Sequence, residues 1–258
     1  MRMLFLGDIF GRPGRSIVFE RLRQVRRDWN VARVVANAEN ASGGIGLNAK
    51  AARQLLDAGI DVMTGGNHIF RNADITPFLE TTDRLLRPAN YPAGAPGAGW
   101  AVYRPKDGPP YAVINLLGRT FMPAVDCPFA SADAILAGLP GDVTLRLVDF
   151  HAEATSEKKA MGYYLDGRVS AVLGTHTHVQ TADAQHLPRG TAYMTDIGMT
   201  GPAASCLGMD PEEVIARFRT GLPRRFVVSR AAPEMQGALL DIDAATGKVV
   251  TISGWRLA

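Results

Sequence analysis

The chain predicts an α/β fold, and three observations predict it. Short apolar runs alternate with amphipathic helical segments over its amino-terminal quarter. This β-α-β-α-β order implies a parallel sheet with right-handed crossovers. Each apolar run of that quarter ends in a small polar cluster, the usual layout of a carboxyl-terminal sheet edge. The carboxyl-terminal stretch changes to strand-turn-strand patterning, read as an antiparallel meander.

Leu4–Gly7 is the first strand. Pro13 stands where a helix N1 proline would, and a helix runs to about Trp29. Its apolar positions Val18, Leu22, Val25 and Trp29 recur at helical spacing. The arginines between Arg21 and Arg27 therefore fall largely on its outer, solvated face. Val31–Ala36 is a second strand. Asn48 is an N-cap and Gly59 a stop for a helix across Ala51–Leu56, and Ile60–Met63 is a third strand. The segment from Arg87 to Pro110 is rich in proline and glycine and reads as loop. Tyr111–Leu117, Val143–Phe150, Ala171–Gly174 and Ala192–Thr195 read as further strands. Asp210, Pro211 and Glu213 combine an Asp cap, an N1 proline and an N3 acid, so a helix runs from there to about Thr220. Arg225–Ser229, Gly237–Ile242 and Lys248–Trp255 form the meander.

With 258 residues and 47% hydrophobic content, the chain can bury a large core, and it is read as a single domain over 1–258. It has no apolar run of about 18 residues that would span a membrane. Its amino terminus leads straight into a strand, so the expected location is cytoplasmic. Cys127 and Cys206 lie far apart without CxxC spacing, which argues against a disulfide framework or a zinc-thiolate site. A net charge of +3 is mild basicity and not a nucleic-acid footprint.

Four of the five histidines fall in three clusters behind apolar runs: Asn67-His68, Asp149-Phe150-His151 and His176-Thr177-His178. Asp8 and Glu39-Asn40 occupy the same place behind two other runs. These are the side chains that bind hard and borderline divalent metals. Any one of them alone would read as a turn former, a helix cap or a hydrogen-bonded structural histidine. Five such clusters at strand ends read as one metal site on one sheet edge. His176 and His178, two residues apart, share a face if the backbone is extended. His186 has no motif around it and reads as a surface residue. The glycine-rich stretch from Gly7 to Gly14 lacks both the P-loop and the GxGxxG pattern. That absence, and the unexplained histidines, argue against a Rossmann-like nucleotide-binding module. Gly43, Gly44 and Gly46 form a loop beside Glu39.

GDIFGRPGR from Gly7, NAENASGGIG from Asn37, GGNH from Gly65, DFHAEATSEK from Asp149, GTHTHVQT from Gly174 and TDIGMTGP from Thr195 together resemble the YmdB-type bacterial phosphodiesterases. These are a branch of the calcineurin-like metallophosphoesterases. The resemblance spans nearly the whole chain. The wider superfamily opens on Asp-x-His, whereas Phe10 stands here in place of the histidine, and Glu39 replaces its bridging aspartate. Both departures fit the YmdB-type branch.

The resemblance implies a four-layer α/β/β/α sandwich, two metal ions and cyclic-nucleotide phosphodiesterase activity on 2′,3′-cyclic and also 3′,5′-cyclic substrates. It implies that Asp8, Asn40 and His178 hold one metal, that Asn67, His151 and His176 hold the other, and that Glu39 bridges them. His68 stays off the metals as general acid, while a metal-bridging hydroxide attacks phosphorus. Oxygen and imidazole ligands without thiolate admit iron, manganese, zinc or magnesium, and the resemblance favours iron or manganese. Fold and metals do not settle substrate. A phosphomonoesterase or nuclease with the same centre, acting on RNA among other substrates, and a metal-binding regulatory scaffold without turnover remain the alternatives. The proline- and glycine-rich segment and the last strands offer surface for a homo-oligomer.

Overall fold

In a computed structural model that describes residues 1–258, the chain folds as two sheets between two layers of helices. The elements in chain order are β1 (Arg2–Leu6), β2 (Asp8–Ile9), α1 (Gly11–Asp28), β3 (Val31–Asn37), α2 (Ala49–Ala58), β4 (Val62–Thr64), α3 (Ile75–Thr81) and β5 (Leu85–Leu86). They continue with β6 (Trp100–Tyr103), β7 (Tyr111–Leu117), α4 (Pro128–Gly138), β8 (Leu145–His151), α5 (Thr155–Leu165), β9 (Ala171–Thr175), β10 (Gln185–His186) and β11 (Ala192–Met194). The last are β12 (Met199–Pro202), α6 (Pro211–Thr220), β13 (Pro233–Ile242) and β14 (Val249–Leu257). No helix is long and apolar enough to cross a membrane.

The first sheet has the order β2-β12-β13-β1-β3-β4-β5, with β14 also paired to β13. The second runs β10-β11-β9-β8-β7-β6. A single parallel sheet was the expectation for the amino-terminal half, and β1, β3, β4 and β5 are indeed parallel. The late strand β13 nonetheless inserts antiparallel against β1, because the meander folds back through the middle of this sheet. The strands β8, which ends in His151, and β9, which leads into His176 and His178, do not extend it. They lie in the second sheet, parallel to β7 and β11.

Strand periodicity explains the layering. In β1, Leu4 and Leu6 face α1 and α2, packing with Val18, Leu22 and Leu55. Met3 and Phe5 face the other way, into the space between the sheets with Val113, Leu147 and Leu240. Successive side chains alternate between faces, so a strand buried on both sides reads as an unbroken apolar run. In β7, Val113 lies between the sheets, whereas Ile114 and Leu116 meet Ile135 of α4 and Met161 and Leu165 of α5. Burying each such side chain stabilises the fold by roughly 1.5–3 kcal/mol.

Local signals set several boundaries. The Asn48 side chain accepts a hydrogen bond from the Ala51 N–H at 2.8 Å, and Gly59 closes α2 in the left-handed region at φ 114°. Asp210 caps α6 through the Glu212 N–H, and Gly221 ends it at φ 69°. Pro13 is the third residue of α1, which begins at Gly11, and not the first. Arg21, Arg23 and Arg27 are exposed, as the helical spacing predicts. The expected loop from Arg87 to Pro110 contains β6, paired with β7. Arg225–Ser229 forms no strand of the meander; only Val228 makes an isolated bridge, to Met209. Both cysteines are free and half-buried.

Candidate metal centre

Polar stitches join the carboxyl ends of the two sheets, and this brings the clusters together. The Asn37 side chain, at the end of β3, donates to Asp149 of β8 at 3.2 Å. Thr64, at the end of β4, donates to the same carboxylate at 2.5 Å. Asn115 of β7 donates to the Gly65 carbonyl at 3.0 Å. The convergence expected of one sheet edge is thus achieved by two edges meeting.

Glu39 is fully buried at the centre. Its Oε1 lies 3.1 Å from His151 Nε2 and 3.2 Å from His68 Nδ1, and its Oε2 accepts the His68 backbone N–H at 2.8 Å. Burial opposes its ionisation, but the charge and hydrogen bonds of His151 and His68 hold the carboxyl well below its usual range. To one side, His151 Nε2 also lies 3.2 Å from Asn67 Oδ1 and 3.0 Å from His176 Nδ1. To the other side lie Asp8, Asn40 and His178. His178 Nε2 is 3.5 Å from Asp8 Oδ1 and 3.4 Å from Asn40 Nδ2. The structure therefore brings together all eight residues singled out in the sequence. His186 stands apart, exposed on β10 with its Nε2 3.0 Å from the Val249 carbonyl.

His176 and His178 reach their places differently from expectation. β9 ends at Thr175, and both histidines adopt positive φ, 102° and 63°. Such left-handed backbone at non-glycine residues costs of order 1–3 kcal/mol and persists only where surroundings over-determine it. Asp196 supplies the restraint. Its Oδ2 accepts the Thr177 N–H at 3.1 Å and the Thr177 hydroxyl at 2.8 Å, and its Oδ1 accepts the Gly198 N–H at 2.9 Å. Lys158 of α5 donates to Asp196 at 2.7 Å, and both side chains are about 1% exposed. Phe10, in the position of the superfamily histidine, packs edge-on against the His178 ring at 5.4 Å.

Sequence reasoning missed Asp196 and Lys158, although both lie within quoted motifs. It missed Asp149 and Thr175 in the same way. The Thr175 hydroxyl donates to Asp149 at 2.7 Å and lies 2.9 Å from His151 Nδ1. A hydroxyl has one proton to give. With that proton on Asp149, Thr175 accepts from Nδ1–H, so Nε2 is the ring nitrogen that faces the centre and is free to bind a cation once its own proton leaves.

The residues fit a cation. Potential ligand atoms of Glu39, Asn67, His151 and His176 cluster together, and Glu39, His151 and His176 each offer one within 4.8 Å of the others'. Buried Asp8 Oδ1 has no hydrogen-bond partner. The centre also calls for positive charge. Burial pushes His151 down, yet Glu39 and Asp8 outweigh it and raise the imidazole to about 9. Beside it, burial and His151 push His176 down to about 3. Gly66 completes the cradle: a Cβ there would lie 2.3 Å from His151 Nε2 and 2.4 Å from Glu39 Oε2.

The family described as YmdB-like protein matches residues 4–254. A 2′,3′-cyclic-nucleotide 2′-phosphodiesterase of Bacillus subtilis (strain 168) is 48% identical over 252 residues, covering 98% of this chain and 95% of the relative. A crystal structure of a hypothetical protein from Thermus thermophilus superposes with a TM-score of 0.93 at 40% identity, covering 100% of this chain and 99% of the other. A crystal structure of a novel phosphatase from Mycoplasma pneumoniae also gives 0.93, at 35% identity, covering 100% and 93%. The four-layer α/β architecture is shared with these neighbours.

Proposed function

The chain belongs to the YmdB-like family, and from that premise we propose that it is a metal-dependent phosphoric diester hydrolase acting on cyclic nucleotides. The 2′,3′-cyclic class comes first, as in the Bacillus subtilis relative, and 3′,5′-cyclic nucleotides second. One observation carries the reading: two donor groups, Asp8-Asn40-His178 and Asn67-His151-His176, flank a buried Glu39 that touches both. In this proposal each group holds one ion and Glu39 is shared. Iron or manganese is favoured over zinc or magnesium. Two such ions would screen the phosphodiester and make water acidic enough to react near neutral pH.

The chain's own residues do the rest. The second-sheet histidines are aimed from behind: Thr175 and Asp149 fix the His151 tautomer, and Asp196 and Lys158 fix the strained turn. His68 differs from the other three. Its Nδ1 lies 2.8 Å from Asn40 Oδ1, its Nε2 has no partner, and its side chain is 34% exposed. As imidazolium it would present Nε2–H on the open side and protonate the departing alkoxide. Its backbone N–H, meanwhile, holds Glu39 Oε2.

The test is elemental analysis of the purified protein coupled to turnover assays. Substrates would be 2′,3′- and 3′,5′-cyclic nucleotides, mononucleotides, single-stranded RNA and a chromogenic diester, each with and without chelator. Two ions per chain and chelator-sensitive opening of cyclic phosphodiesters are expected. Faster turnover of mononucleotides or RNA would move the substrate assignment. Chelator-resistant turnover, or none, would sink the mechanism.

A further inference from the structure

A second concave site lies at the opposite edge of the second sheet, where β8, β9 and β11 begin. Its volume is about 220 Å³, and the β13–β14 hairpin closes it through Thr246 and Lys248. Arg146, Arg168, Arg189 and Lys248 line it, and no Asp or Glu does. Arg168 is ion-paired to Asp133 at 2.6 Å. The other three cations have no carboxylate within 4.0 Å. Arg146 is held in place: its Nε donates to the Val143 carbonyl at 2.9 Å and its Nη1 to the Arg168 carbonyl at 3.2 Å. Its Nη2 has no such partner. Unpaired like charges gathered in a concavity repel one another and raise the local positive potential, which an anion relieves.

The lining also limits the ligand. Val169 is its one hydrophobic residue, and no aromatic side chain is present. A nucleobase would find no stacking surface. Compact oxyanions suit guanidinium forks, which give charge-assisted, paired hydrogen bonds. The metal centre is remote, because Leu145 and His151 terminate the same strand and six residues of strand span about 20 Å at ~3.3 Å each. Arg146 and Arg168 have structural partners, whereas Arg189 and Lys248 make no ion pair within the chain.

We propose that this cavity binds a compact, multiply charged phosphate anion of the pyrophosphate class, independently of the metal centre. The probe is pyrophosphate, titrated into the metal-loaded protein while the backbone amide resonances of Gly190 and Gly247 are followed. Both glycines line the cavity. Saturable shifts at both amides are expected. The double variant Arg189→Glu/Lys248→Glu, altered only at exposed positions, should weaken the affinity read there by about tenfold or more, a loss of ~1.4 kcal/mol or more. Its melting temperature and cyclic-nucleotide turnover should match those of the unaltered chain. Arg146→Lys should weaken binding less than Arg146→Met, because it keeps the charge and loses the fork. Shifts that are absent, unchanged in the double variant, or reproduced by acetate at equal ionic strength would overturn the site. Tighter binding of AMP than of pyrophosphate at these amides would overturn the ligand class.

Discussion

A proton on one hydroxyl decides how the buried histidine can act. Thr175 gives its proton to Asp149 and accepts from His151 Nδ1, so Nε2 is the nitrogen aimed at Glu39 and Asn67. Partners of this kind orient metal-binding imidazoles, and their loss typically costs about 10–100-fold in metal affinity. Thr175→Val should therefore lower metal affinity by that factor while Thr175→Ser restores it, measured by competition with a fluorescent chelator. Equal affinity in the valine variant would show that Thr175 does not set the tautomer. His68 makes the opposite case. Its side chain reaches Asn40 and Glu39 only through Nδ1. His68→Ala should keep the full metal content and lose about 10²–10⁴-fold in turnover, the usual contribution of a general acid. Elemental analysis showing one ion lost would make His68 a ligand instead.

At the level of elements, the turn after β9 depends on a helix that contributes no ligand. Lys158 of α5 neutralises Asp196, and Asp196 holds Thr177 between the two strained histidines. Removing one member of a buried pair strands the other charge, at a cost of about 3–5 kcal/mol. Lys158→Met should be destabilised by that amount in denaturant titration. Adding Asp196→Ala should recover part of the stability but not the metal affinity, because Thr177 then has no anchor. A double variant that binds metal normally would show that the turn holds itself. This device was not legible in the sequence. Positive φ is uncommon at any non-glycine residue, so nothing local announced it at both His176 and His178. A buried lysine also disguises α5, since it takes the first position of the stripe that Met161 and Leu165 continue. The caps of α2 and α6 were legible because Asn48, Gly59, Asp210 and Gly221 act through chemistry within one turn. Strands β7 and β8 were legible as strands. Their membership of a second sheet was not, because an apolar run buried on both faces carries no information about its neighbours. The eight candidate residues could be singled out because side-chain type and strand-end position are both local properties.

For the molecule as a whole, the centre lies at the seam where two sheets meet, so its occupancy bears on global stability. Asp8 and Glu39 come from the first sheet, His151 and His176 from the second, and each is partly or wholly buried. A cation shared across that seam would bind the folded chain and not the unfolded one. Such linkage stabilises by about 2.7 kcal/mol when the free ligand is 100 times its dissociation constant. In a chain of this size each kcal/mol moves the melting temperature by about 2–4 °C, so saturation with manganese should raise it by roughly 5–11 °C over the chelated protein. Asp8→Asn and His176→Ala should each shrink that rise, since the first removes a negative charge and the second a donor, on different sides of Glu39. Calorimetry with and without chelator reads the effect directly and does not depend on any substrate. If both variants kept the full rise, the stabilising ion would sit elsewhere, and the seam would be held by its apolar layer and the Asn37, Thr64, Asn115 and Asp149 contacts without it.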